Sequence, residues 1–459
     1  MSSKIRFNLL LLIIVVLCLQ PLGSIRSAYA ENTIQFSEES VKNNFPDELV
    51  FRVKVSSSAG EIVGAKFVST NDSYYSSRSY SRKIIEIEAS NEVFLEYIFD
   101  TRDSTTPPMM PYTYFWEVED EDGNRYESEP ITIRYDDTRY DWQTLENDDI
   151  GVWWHDRPAS FGETIFDIAK KAVKLQNKLF QTDLDYKMRI VIYNSSDEFA
   201  AWHSLAHDWV GGETYGNYGI TAQIVEDTSY QKSWLNNVIP HEISHLYFAQ
   251  ITHNPTVSVP VWLNEGVAQY NEFIDHEWEF GKVRDAAKKG DIIPLSSLAN
   301  GFGAFNEERV YLAYYESVSA VSYFVETYGS ENLSALLSAY KEGQLTDEAF
   351  KSAIGIGVGE FEAAWAVSVG VTEGYATNTP WPLPTFIPSP TMMVFGAATS
   401  VPVVKTPEPT LENTAIATPV IAETEVKTKS TTRSLPCLST LGVIFSMGGV
   451  FFLKLRFNL

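Results

Sequence analysis

Between Cys18 and Cys437 the chain has no cysteine at all. No disulfide can brace the body of the protein, and a cysteine nucleophile is excluded as a route to chemistry. Stability must come from packed cores, and 459 residues is ample for two. Positive charge is scarce as well: 35 Lys and Arg stand against 60 Asp and Glu, a formal net charge of −25. That balance argues against nucleic acid as a partner, which needs a basic face. It suits an exported, soluble surface. Histidine is thin too, with seven in the whole chain, so the placement of two of them is informative.

Those two stand in His241-Glu242-Ile243-Ser244-His245, an H-E-x-x-H pattern, followed by Trp262-Leu263-Asn264-Glu265-Gly266. On an α-helix, residues four apart share a face, so His241 and His245 can aim both imidazoles at one ion. Zn²⁺ accepts nitrogen and oxygen ligands, and a catalytic zinc keeps one position open for water. Glu242, beside the first ligand, is placed to take a proton from that water, whose pKa the metal lowers. Glu265, 20 positions after His245, completes a His₂Glu set from a second helix.

These two blocks resemble those of the gluzincin metallopeptidases, the class that contains thermolysin and aminopeptidase N. The nearest likeness is to bacterial peptidase MA-like proteins, over roughly residues 140–378. The step from His245 to Glu265 is similar to that of thermolysin. The wording W-L-N-E-G is similar to that of aminopeptidase N, whose step is one residue shorter. The resemblance implies further roles. Tyr315, in Tyr314-Tyr315-Glu316-Ser317, which opens a helical run from Val318 to Tyr328, matches the Y-E-x-G block whose tyrosine stabilises an oxyanion. Substrate would add as a strand to an edge just before the metal helix, and Gly219, Ile220, Thr221 and Ala222 read as that edge. The G-x-M-E-N block that binds a free amine in aminopeptidase N is absent; Glu213 lies in the neighbourhood. Endopeptidase and aminopeptidase action both stay open.

Other residues complete the site. Glu272, seven positions after Glu265, is the candidate to orient a ligand imidazole. His203 and His207 are also four apart, but no third ligand belongs to them, and they read as surface or packing residues. Pro240 directly precedes His241. The metal helix either starts near Val238 or starts around Ser233 and bends at the proline.

The expected organisation is multidomain. Lys4 and Arg6, an apolar run over residues 9–19 and Ala28-Tyr29-Ala30 form a signal peptide, residues 1–30. Residues 31–136 alternate as short strands, with Asp122-Gly123-Asn124 as a tight turn, and predict an all-β sandwich of immunoglobulin or fibronectin type. Residues 140–378 predict an α+β gluzincin catalytic domain carrying the H-E-x-x-H helix. Residues 379–434 are Thr- and Pro-rich and predict a disordered stalk. Residues 435–453 are apolar enough for a transmembrane helix, with a short basic cytoplasmic tail at 454–459. The same tail reads alternatively as a sorting signal removed after export. Asn71, Asn194 and Asn332 head N-x-S/T triplets.

The functional expectation is an exported, membrane-anchored zinc metallopeptidase acting on a peptide or protein. Two alternatives stand beside it. One is a catalytically silent surface binding or adhesion protein on a peptidase fold. The other is a zinc hydrolase of a non-peptide amide or ester.

Overall fold

The computed structural model describes residues 34–70, 73–75, 80–102, 106–203, 210–228, 231–303, 305–372 and 450–453. The expected signal peptide, the stalk, residues 435–449, the basic tail, Asn71 and His207 lie outside the described residues. The chain divides into two compact units that change over between Arg139 and Tyr140.

The first unit is built from eight strands: β1 (Ile34–Asn44), β2 (Glu48–Ser57), β3 (Ile62–Thr70), β4 (Tyr80–Ile85), β5 (Glu92–Asp100), β6 (Met110–Asp120), β7 (Arg125–Glu127) and β8 (Ile131–Tyr135). One antiparallel sheet has the order β1-β2-β5. The other has the order β4-β3-β6-β7, with β8 paired to the first half of β6. Alternation explains the pairing of faces: Phe51, Val53 and Val55 of β2 are buried while Arg52 between them is exposed. The two inner faces meet at Phe67, whose ring lies 4.7 Å from Phe51, 4.3 Å from Tyr97 and 5.1 Å from Trp116. Aromatic packing of this kind replaces the missing disulfide.

The second unit opens with β9 (Gln143–Glu146) and β10 (Ile150–Trp154), then α1 (Ala159–Phe180), β11 (Met188–Tyr193), α2 (Ser196–Ala200), β12 (Val210–Tyr215) and β13 (Ile220–Ile224). Seven helices follow: α3 (Gln231–Thr252), α4 (Val261–Tyr270), α5 (Glu277–Lys289), α6 (Glu307–Tyr328), α7 (Ser330–Lys341), α8 (Thr346–Ile354) and α9 (Val358–Ser368). A last strand, β14 (Val450–Leu453), joins the sheet. Its order is β14-β12-β13-β11-β10-β9. β10, β11 and β13 run parallel, and β9, β12 and β14 are antiparallel to their neighbours. On α1, Phe161, Ile165, Ala169, Ala172, Gln176 and Phe180 form one buried stripe, the mark of a helix laid along a core.

α3 is different. From Val238 to Phe248 every residue is buried. A helix with no solvent face sits at the centre of its domain, here between α1 and β12 on one side and α4 and α7 on the other. Of the two starts open to the sequence, the earlier holds: the helix begins at Gln231 and runs through Pro240.

The W-L-N-E-G block is explained by packing. Trp262 is buried and stacked on Phe361 at 6.3 Å, which fixes α4 in the helical core. At Gly266, an added Cβ would stand 2.4 Å from the Ser317 carbonyl oxygen of α6. Only glycine lets the two helices approach that closely.

Three expectations need correction. Val450–Leu453 form a strand bonded to β12 where a membrane helix is expected, and no helix among the described residues is long and apolar enough to cross a membrane. A Val-Phe-Phe-Leu run suits a strand as well as a helix, and the β12 edge offers unpaired backbone groups. β13 is no edge strand, because β11 and β12 flank it on both sides. The helix bearing Tyr314 and Tyr315 starts at Glu307, capped by Asn306, so both tyrosines lie in its middle and do not open it.

The Gly266 contact yields a direct expectation. Gly266→Ala should lower the unfolding free energy by about 1–3 kcal/mol through overpacking. Chemical denaturation of the purified protein reads this, and an unchanged midpoint would mean the α4–α6 contact relaxes without cost.

Candidate metal centre

α3 carries His241 and His245 one turn apart, and α4 brings Glu265 up against them. His241 Nε2 lies 3.7 Å from Glu265 Oε2, and His245 Nε2 lies 3.9 Å from it. One donor atom from each of the three residues falls within 4.8 Å of the others. Donors about 2.1 Å from a shared tetrahedral ion stand about 3.4 Å apart. The observed spacing therefore matches three ligands converging on one ion.

The far side of each ring is also fixed. His241 Nδ1 is 2.9 Å from Glu272 Oε1, and His245 Nδ1 is 3.0 Å from Asn264 Oδ1. An Nδ1–H donating to an oxygen sets the tautomer, so each Nε2 presents a lone pair to the cluster. Asn264 escaped the sequence reading although it stands inside W-L-N-E-G. Its adjacency to Glu265 was the signal: one turn of α4 supplies both a ligand and a partner for the other ligand.

The electrostatics fit a cation. His245 Nε2, Glu265 Oε2 and Glu242 Oε1 are buried with no hydrogen-bond partner among the described residues. Burial pushes His245 down to about 4, against the opposing pull of its bond to Asn264, and holds His241 well below the ordinary imidazole range. Both rings are thus kept neutral, the form that ligates. Burial, then repulsion from neighbouring carboxylates, drives Glu265 and Glu272 well above the usual carboxylate range. Buried carboxyls and imidazoles converging on one point are costly alone and are resolved by a divalent ion.

Glu242 has its own seat. Its carboxyl is pushed up to about 8, first by burial, with the Thr214 hydrogen bond opposing and the Glu213 charge adding to the rise. Thr214 Oγ1 donates to Glu242 Oε2 at 2.5 Å. A Cβ on Gly212 would lie 3.0 Å from Glu242 Oε1. Gly212 and Thr214 lie two apart on β12 and so share a face. The sequence reading missed both, because one hydroxyl and one missing side chain leave no motif. Glu213, between them, is bonded elsewhere: His203 Nε2 lies 2.5 Å from its Oε2, and the Tyr215 hydroxyl donates to it at 2.8 Å. His203 is thus a buried packing residue.

Two sequence assignments are placed differently. Gly219, Ile220, Thr221 and Ala222 belong to β13 or its approach, and β13 is already paired on both sides, so they cannot take up a substrate strand. Tyr315 turns away from the cluster: it meets Trp278 edge-on at 5.5 Å and feels Glu279. Tyr314 is the one that the Glu265 and Glu242 carboxylates act on, after burial, to raise its hydroxyl pKa. Neighbouring residues on a helix point about 100° apart, so a motif shifted by one residue selects the wrong face.

No match was found among curated proteins. Among solved structures, an aminopeptidase N family protein from Idiomarina loihiensis is 10% identical over 66% of this chain and 70% of its own, with a TM-score of 0.32. OgpA from Akkermansia muciniphila is 6% identical over 22% of this chain and 27% of its own, with a TM-score of 0.18. A polysaccharide deacetylase from Bacillus cereus is 7% identical over 38% of this chain and 55% of its own, with a TM-score of 0.17. This chain spans less than two thirds of the last two, and overlaps so partial carry no argument. The sequence itself carries more: residues 168–371 match the Peptidase MA superfamily. That stretch runs from α1 to the end of α9 and contains His241, Glu242, His245, Glu265 and Tyr314, and it is a Peptidase MA superfamily domain.

Proposed function

We propose that the protein is a zinc peptidase acting outside the cytoplasm. The observation that carries this reading is the buried cluster of His241, His245 and Glu265, with Glu242 seated beside it by β12. Two imidazoles and one carboxylate are a zinc-type donor set with room for a fourth ligand. A zinc ion held there supplies a Lewis acid that polarises a carbonyl and makes water acidic near neutrality.

The chain's own residues do the rest. Glu242 takes the proton of the attacking water and hands it to the leaving amine. Its raised pKa suits a group that must both accept and return a proton. The Tyr314 hydroxyl donates to the oxygen on which negative charge develops. Glu272 and Asn264 hold the two imidazoles in orientation. Glu213 is committed to His203 and Tyr215, so its carboxylate is not offered to a substrate amine; this favours endopeptidase over aminopeptidase action. Export is carried by the N-terminal apolar run alone.

The test is cleavage of a mixed peptide library, with products read by mass spectrometry with and without chelator. Glu242→Gln should keep one zinc per chain and lose cleavage by about 10³-fold; a fully active variant would sink the mechanism. Glu265→Ala should lose stoichiometric zinc, read by elemental analysis, and unchanged content would remove Glu265 from the ligand set. Tyr314→Phe should cost about 10²-fold in kcat while Tyr315→Phe stays near wild type; the reverse ranking would return the role to Tyr315. Wild-type protein that binds zinc but cleaves no peptide would point to a silent binding protein or a non-peptide substrate.

A further inference from the structure

We infer that Pro240 is a positioning residue for the metal centre: it frees the Asn236 carbonyl for the Phe273 amide, and that bond holds Glu272 against His241. The inference rests on the reading of His241 as a ligand.

In an unbroken α-helix the Asn236 carbonyl would accept from the amide of residue 240. Proline has no amide hydrogen and costs a helix interior about 3 kcal/mol. In α3 the vacated acceptor is used across the structure: the Phe273 N–H donates to Asn236 O at 2.9 Å. The proline's own carbonyl is also engaged outside the helix, accepting from Gln176 Nε2 of α1 at 2.8 Å. The two segments therefore meet twice, at Asn236–Phe273 and at His241–Glu272. Pro240 sets the Asn236–Phe273 bond, and the residues after Pro240 and before Phe273 make the His241 Nδ1–Glu272 Oε1 contact of 2.9 Å.

Glu272 needs such a tether. It lies beyond the end of α4, in the turn that follows Tyr270, where a single i→i−3 bond from its own N–H to Gln269 O at 3.0 Å replaces the α-helical ladder. Phe273 is pinned at both ends, through its amide by Asn236 and through its ring by Lys171 Nζ at 3.8 Å from the ring centroid. Fixing the backbone at residue 273 fixes the preceding carboxylate over the imidazole. A helix-breaking residue next to a ligand thus serves to bind the segment that orients that ligand.

The experiment is a double-mutant cycle on full-length protein, with Zn²⁺ affinity measured by competition against a chelator. Pro240→Ala restores an amide that claims Asn236 O. It should weaken Zn²⁺ binding by about 10-fold or more and speed hydrogen exchange at the Phe273 amide, without lowering the unfolding midpoint of the metal-free protein. Glu272→Ala should weaken binding at least as much, and adding Pro240→Ala to it should cost nothing further. Unchanged affinity in Pro240→Ala, or a loss that adds in full to that of Glu272→Ala, would overturn the inference while leaving the metal site intact. Wild-type protein that takes up no Zn²⁺ would overturn the metal reading and this inference together.

Discussion

A helical stretch with no solvent face, Val238–Phe248, that carries two imidazoles and a carboxylate is the constraint on which the second unit depends. Dehydrating such groups costs several kcal/mol each unless they are paired or hold a metal. Glu242, Glu265 and Glu272 are buried beside His241 and His245, and among the described residues no Lys or Arg forms an ion pair with any of the three acids. The surrounding elements read as answers to that cost. α4 supplies Glu265 and Asn264, the turn after α4 supplies Glu272, and β12 supplies the hydroxyl for Glu242.

Those answers are close because the helices are knitted beside the cluster, through side chains and backbone alike. Asn271 Nδ2 donates to Ser244 Oγ at 2.9 Å, Phe273 bonds to Asn236, and Gly266 lets α4 lie against the Ser317 carbonyl of α6. None of these contacts touches the His241, His245 or Glu265 side chains directly. Each fixes a segment one residue away from a ligand or its partner.

What the sequence could tell followed from range. His241, Glu242 and His245 were legible because a helical turn is local, and Glu265 because a single loop separates α3 from α4. Glu272 was reachable by spacing along the chain. Strand order is not local: that β12 lies outside β13, and that Val450–Leu453 lie outside β12, depends on pairings no neighbouring residue announces. Hence Gly219 to Ala222 were assigned to an edge that belongs elsewhere. The choice between Tyr314 and Tyr315 depended on the phase of α6, which a motif read without its helix start cannot supply. The first unit was easier, since alternation about Phe51, Phe67 and Trp116 records its inner faces residue by residue.

The knitting of α3, α4 and α6 has a mechanical consequence. His241, His245, Glu265, Glu272 and Tyr314 all ride on helices joined to one another or on the turn between them, and so move as one block. Glu242 alone is also gripped by the sheet, through Thr214. A small slide of the sheet past the helices would therefore shift the Glu242 carboxyl without parting the donor atoms of His241, His245 and Glu265. On the proposed function, holding the ion and moving the proton would then depend on different contacts of the same domain.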